Sequence, residues 1–356
     1  MTSTLHQPFD TAPGSPVDPP TPVQTDPPLV GYLDGLVERL LSQSAEVLAT
    51  EPIDAVHQAR VATRRLKAAL DLVEPLVSNR SRRAMIRVLR RVRRRLGPVR
   101  DIDVMIGHLD ELSPRPSDPS GETRPPSAGA WLTEELEHDR LDAMDDARAD
   151  RTIARLPQKL RRWTKLRGQV AEHAAALDAL IRESLARQSA DFATAAGELA
   201  GGDATDIRGA ESVDPHVVRI AGKALRYTVE MAQAHGHPLP DHIAKSFKKM
   251  QDALGLWHDH VVLTERAMQV SAECMLAHHN LSLQRDVLEL ALQSLAEAGA
   301  QLEKFKSLWR ENGEGLLEAI RAAYPAEHVA SVDASGSRTD HDPSGSPAPP
   351  ATDGPH

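Results

Sequence analysis

The sequence predicts an all-α protein, and three observations carry that prediction. Aromatic residues make up only 3% of a 356-residue chain whose middle is filled by Ala, Leu, Arg and Glu, so aliphatic helix faces rather than aromatic-rich sheets must build the core. Apolar residues recur with helical period over long stretches, separated by segments rich in Pro, Ser, Asp and Gly. A block of the sequence also recurs 159 residues later, the mark of a tandem of like units. The expected architecture is two pseudo-symmetric four-helix bundles forming one domain, since copies of one unit in a chain tend to pack about a two-fold axis.

Taken in order, residues 1–28 lack apolar periodicity and read as a disordered tail, as do residues 329–356. The first half, 29–160, is expected to hold helices over 30–49, 54–77, 81–111 and 131–155. A linker at 113–129 carries Pro114, Pro116, Pro119, Pro125 and Pro126. The second half, 161–328, is expected to hold helices over 168–199, 215–235, 239–270 and 275–310. Leu96-Gly97-Pro98 and Leu254-Gly255 are candidate interruptions. Asp214-Pro215 reads as an N-cap followed by the first helical residue, and Glu51-Pro52-Ile53-Asp54 as a similar start.

Composition excludes several functions. The single cysteine, Cys274, allows neither an internal disulfide framework nor a Cys-rich zinc site; it reads as a small buried hydrophobe in a reducing compartment. No apolar run approaches the roughly 20 residues of a membrane span, so a cytoplasmic protein without a membrane partner is expected. No P-loop, dinucleotide fingerprint or G-x-S-x-G elbow is present, and no cofactor is expected. His258-Asp259-His260 and His278-His279 lack the i,i+4 spacing that would converge on one metal ion.

The net charge of -9 hides a segregation. From His57 to Arg100 there are fourteen Lys or Arg against two acids, Asp71 and Glu74, whereas Trp131 to Asp150 holds eight acids against two Arg. Local field decides what a surface attracts. The acidic segment is expected to form an outer face, away from the basic one.

The repeat falls on the basic elements. His57, Arg60, Ala62 and Leu66 recur as His216, Arg219, Ala221 and Leu225, while Val61, Arg64 and Lys67 recur conservatively as Ile220, Lys223 and Arg226. At 100° per residue His57, Arg60, Arg64 and Lys67 share an arc of roughly 80°, opposite Ala59, Ala62, Leu66 and Ala69. The second copy places His216, Arg219, Lys223 and Arg226 alike. A second pair of faces follows: Arg87, Arg90, Arg91 and Arg94, together with Arg83, and in the later copy Lys245, Lys248 and Lys249, where Asp252 replaces the last cation. With Arg100 these side chains are the candidate polyanion ligands, and the Arg-rich first copy should bind more strongly than the Lys-based second.

Solvated helix faces usually mix signs, because like charges at i,i+3 and i,i+4 cost a few tenths of a kcal/mol per pair. A bound polyanion reverses that penalty, and guanidinium suits phosphate geometry. Each histidine lies in a first helical turn, where unpaired N–H groups and imidazole can meet a phosphate together and favour imidazolium. Two other functions fit such faces: a histidine-dependent enzyme acting on the same polymer, and nucleic-acid binding, which scarce aromatics leave with few stacking platforms. Oligomeric state is open.

The His57–Lys67 helix and the Leu96-Gly97-Pro98-Val99-Arg100-Asp101 segment resemble the CHAD family, the conserved histidine alpha-helical domain. Arg219 to Tyr227 and Leu254-Gly255-Leu256-Trp257-His258-Asp259 match its second-half pattern, with His258 where the family often has Asn. The resemblance spans roughly residues 29–325. It implies two four-helix bundles related by pseudo-symmetry and a basic surface or pore that binds inorganic polyphosphate without catalysis, with an association with polyphosphate granules. The alternating Glu-x-Glu-x-Lys of a CYTH tunnel domain, frequent in relatives, is not in the sequence, so the resemblance is to a stand-alone member.

Overall fold

The buried faces that the helical period predicts become two hydrophobic cores. In the computed structural model the described residues are 26–50, 53–113, 127–201, 214–278 and 280–325, with side chains described at all but 274–278 among them. The expected tails (up to residue 25 and from 326), the linker over 114–126, the Glu51-Pro52 start, the Cys274 side chain and the His278-His279 pair lie outside that description. All described residues belong to one compact unit, and none forms a strand.

The first copy contributes α1 (Pro28–Thr50), α2 (Ile53–Leu72), α3 (Asn79–Arg95), α4 (Gly97–Leu112) and α5 (Ala128–Ala149). Three short helices follow: α6 (Arg151–Ala154), α7 (Leu156–Leu160) and α8 (Arg162–Glu172). The second copy contributes α9 (Ala174–Gly201), α10 (Pro215–Ala234), α11 (Asp241–His278) and α12 (Leu281–Ala323). The expected helix 54–77 ends at Leu72, where a 3₁₀ turn over Glu74–Leu76 takes up Pro75. The two candidate interruptions behave differently. Pro98 has no N–H to donate and cannot continue a helix, so the chain breaks at Leu96 and restarts as α4. Leu256 stands at the matching place in the later copy, and α11 runs straight through Gly255.

The larger core gathers the apolar faces of α1, α2, α3, α6 to α10, the first part of α11 and the last part of α12, with Leu66, Met85, Leu89, Phe192, Leu225 and Phe305 fully buried. The smaller one lies between α4, α5, the second part of α11 and the first part of α12, around Leu109, Leu132, Leu136, Leu263 and Val287. Each core therefore draws helices from both copies. Within this frame α2 packs on α1 and α10 on α9, and α2 and α10 also pack on each other, which brings the repeated basic faces together. Arg65 fixes that contact with a two-pronged ion pair to Glu230, Nε to Oε2 at 2.6 Å and Nη2 to Oε1 at 2.9 Å.

Candidate anion-binding site

The helical period of α2 buries Ala59, Ala62 and Leu66 and so turns Arg64 and Lys67 toward α10 and Arg60 toward the start of α4, while the buried Val218 and Leu225 of α10 likewise turn Arg219 and Lys223 toward α2. Arg64 stands at the centre, close enough to Arg60 and His57 on its own helix, and to Arg219 and Lys223 on α10, to destabilise a positive charge on each. Between the two helices a cavity of about 330 Å³ is lined on one side by Arg64, Lys67, Asp71 and Arg93, and on the other by Arg187, Lys223 and Tyr227.

Charge in this cleft is only partly compensated. Burial, then the Arg219 and Arg64 guanidinium groups, lower the Lys223 ammonium to about 7, against the opposing pull of Asp259. Burial likewise lowers Arg60 and Arg219 from their ordinary values, with Asp101 and Asp259 respectively opposing it. The His57 imidazole is lowered by burial, Arg100 and Arg64. His258, whose ring lies 5.7 Å from that of His216, is lowered to about 4 by burial and by Arg219 and Lys223. Buried guanidinium Nε atoms of Arg60, Arg64 and Arg219 have no acceptor among the described residues. Such an arrangement suits an oxyanion, which would relieve the cation crowding and supply acceptors at once.

The Leu-Gly-x-x-Arg-Asp segment acts as a clamp. A Cβ on Gly97 would stand 2.8 Å from Nη1 of Arg60, so only glycine lets that guanidinium lie against the start of α4. There Arg60 donates from Nη1 to the Arg93 carbonyl and from Nη2 to Asp101 Oδ1, both at 3.2 Å. In the later copy nothing lies within 4 Å of a Cβ built on Gly255.

The other predicted ligands are placed less uniformly. His57, Arg60, Arg64, Arg100, Arg219 and Lys223 come together, with Lys67 on the cavity wall, where it also pairs with Asp71. His216 is exposed at the start of α10, where Asp214 caps the helix by accepting from the His216 N–H, as its sequence predicted. Arg226 donates from Nε to Glu230 at 3.0 Å. Arg91 faces away from the cleft and donates to the buried Asp150 at 2.7 Å, beside Arg95 at 3.0 Å. Arg87, Arg90 and Arg94 occupy the exposed side of α3. Lys245 and Lys249 are exposed on α11, and Lys248 pairs with Asp252 at 2.6 Å.

The sequence pattern does not reveal Arg93 and Arg187. Arg93 lies outside the cationic arc of α3, and Arg187 shares α9 with Arg182 amid acidic residues, so only tertiary packing brings it to the cleft. His258 and His260 diverge, as their two-residue spacing on a helix requires: His258 turns toward Arg219 and His260 is buried beside Ser294. The acidic helix α5 does engage one basic element, since Asp146 and Asp150 pair with Arg95; its Glu134, Glu135, Asp142 and Asp145 are exposed. No helix among the described residues is long and apolar enough to cross a membrane, and none of them groups three or more His, Cys, Asp or Glu for a metal ion.

The sequence profile of the CHAD domain matches residues 31–268. No curated protein matches the chain. Among solved structures, the crystal structure of the CHAD domain from the plant Ricinus communis is 20% identical, covers 83% of this chain and 90% of its own, and has a TM-score of 0.49. PptA from Streptomyces chartreusis is 19% identical, covers 80% of this chain and 100% of its own, and at a TM-score of 0.51 shares the fold.

Proposed function

The chain belongs to the CHAD domain family, and from that premise we propose that it binds inorganic polyphosphate, without catalysis, along the cleft between α2 and α10. One observation carries the reading: the two copies of the basic helix converge, so that Arg60, Arg64, Arg219 and Lys223 crowd together with less carboxylate than their charge requires. A polymer with one negative charge per unit neutralises such a row and releases its own condensed counterions, so affinity must rise with chain length and fall steeply with salt. Arg60, held by Asp101, and Arg64 contact phosphate oxygens; Lys223 adds a point charge from the opposite wall. The imidazoles of His57 and His216 flank the row at the N-terminal turns of α2 and α10.

The test is a titration with orthophosphate, tripolyphosphate and long-chain polyphosphate at several salt concentrations, with RNA and DNA as competitors. Affinity should climb with chain length, and polyphosphate should displace either nucleic acid. Equal affinity for orthophosphate and long-chain polyphosphate would overturn the proposal, as would preferential retention of nucleic acid.

A further inference from the structure

From Arg151 to Arg167 the chain carries seven Lys or Arg and no acid. The apolar positions of this stretch, Ile153, Leu156, Leu160, Trp163 and Leu166, are buried, which leaves Arg151, Arg155, Arg161, Arg162 and Lys165 exposed. The segment is fixed alongside α3 at both ends. Near the end of α3, Arg91 and Arg95 hold Asp150, the N-cap of α6; just before its start, the Ser78 N–H donates to Gln169 Oε1 of α8 at 3.1 Å. The segment thus runs antiparallel to α3 along its 17 residues, about 25 Å at 1.5 Å per residue.

The exposed face of α3 completes the surface. Arg83, Arg87, Arg90 and Arg94 lie between Arg93, which lines the cleft, and Arg91 and Arg95, which reach α6. Among the described residues neither these four nor Arg151, Arg155, Arg162 and Lys165 form an ion pair, although the chain as a whole has a net charge of -9. The carboxylates that do reach α3 from α5 and the turn after it engage Arg91 and Arg95 alone. A face with cations at adjacent turns and no interleaved acid is unfavourable unless an anion covers it.

Resting on the cleft as a polyphosphate site, we propose that the outer face of α3 and the α6–α8 segment form a second anion-binding surface, continuous with the cleft, along which the rest of a long polyphosphate chain is held. The chemistry of the band selects that ligand. Its only aromatic side chain, Trp163, is buried and donates to Asp34 at 2.6 Å, so no base can stack there. No large exposed hydrophobic side chain lies in 151–167 to enter a bilayer. A flexible chain of closely spaced charges needs neither.

The test compares the protein with a variant in which Arg151, Arg155, Arg162 and Lys165 are changed to Gln, each being exposed and without an ion pair or side-chain hydrogen bond among the described residues. A second variant changes the three Arg to Lys, and melting temperature checks the fold of both. The ratio of long-chain polyphosphate affinity to tripolyphosphate affinity should fall about tenfold or more in the Gln variant. Its long-chain salt slope should shrink by about 3, at roughly 0.7 for each phosphate no longer neutralised, and the Lys variant should keep both. An unchanged ratio in the Gln variant, with the wild-type protein still preferring long chains, overturns this inference and leaves the cleft assignment standing. A wild-type protein that binds neither polymer overturns the cleft assignment, and this inference with it.

Discussion

Lys223 makes binding in the cleft proton-linked. Burial and the neighbouring Arg219 and Arg64 lower its ammonium to about 7, so near neutral pH about half the free protein holds it uncharged. Polyphosphate bound in the cleft as proposed should replace the missing counter-charge and restore the protonated form. With the complex titrating near the ordinary value of about 10.4, uptake attributable to Lys223 is about 0.5 proton at pH 7 and about 0.9 at pH 8. The same linkage lowers affinity about fifty-fold between pH 7 and pH 9.

Calorimetric titration with long-chain polyphosphate, in buffers of different ionisation enthalpy, measures the uptake directly. A Lys223→Arg variant keeps its charge throughout this range, so it should bind without uptake at pH 8 and lose the pH dependence. His57 and His258, both lowered, add uptake below the ordinary imidazole range, which the variant retains. For the free protein the sign is opposite to that of an ordinary lysine partnership. The unfolded chain binds the Lys223 proton up to about pH 10 and the folded one only to about 7, so stability rises with pH across that window. Absence of uptake at pH 8 in the wild-type protein, or its persistence in Lys223→Arg, would refute a cleft in which crowded cations hold Lys223 half neutral until a polyanion enters.

Other predictions concern the supports of the site. Burial alone would raise the Asp150 carboxyl, but hydrogen bonds from the Thr152 N–H, Arg91 and Arg95 hold it down to about 2. Its stabilisation, about 2 kcal/mol, is complete above about pH 4 and is lost as pH falls through 2. Chemical denaturation of Asp150→Asn should therefore show a loss of that size at pH 7 that disappears toward pH 2. Gly97→Ala should leave melting nearly unchanged, because the displaced atom is the free end of Arg60, yet weaken tripolyphosphate binding several-fold by opening the Arg60–Asp101 pair. Gly222→Ala should cost about 1–3 kcal/mol of stability, since its Cβ would run into the Gln251 side chain and stand 3.0 Å from the buried Phe192 ring; an unchanged denaturation midpoint would show that α10 and α11 can separate freely.

The part of the site that is legible in the sequence is the part in which one helix carries all the information. Arg60, Arg64, Arg219 and Lys223 stand out because the apolar residues between them fix which way each helix turns, and the repeat says that two such helices exist. A wheel gives the direction of a side chain but not its neighbour. Arg91 shares the cationic arc of α3, yet its direction ends at Asp150, whose position depends on where α5 stops. Arg187 carries no pattern at all. The α6–α8 row escapes a sequence reading for a different reason: Pro157 and the breaks at Arg155 and Arg161 divide it into three short helices, so no single period runs through its cations. The fold is legible to the same depth. The all-helical class follows from composition and period, whereas the sharing of both cores between the copies depends on α11 being continuous where α3 and α4 are broken.

That difference limits what motif identity can mean. Leu96-Gly97 and Leu254-Gly255 occupy matching places in the repeat, but only the first glycine has a reason in the structure. Pro98 ends α3, the restarted helix brings its first turn under Arg60, and a side chain at Gly97 would push the guanidinium away from Asp101. Gly255 lies inside a continuous helix with open space around it, where glycine costs about 1 kcal/mol relative to alanine. Gly255→Ala should therefore raise the melting temperature and leave polyphosphate affinity unchanged, while Gly97→Ala leaves melting nearly unchanged and weakens binding. Equal losses of affinity in both variants would mean that the second copy clamps Arg219 in the ligand-bound state as the first clamps Arg60, and that the asymmetry between the walls of the cleft vanishes on binding.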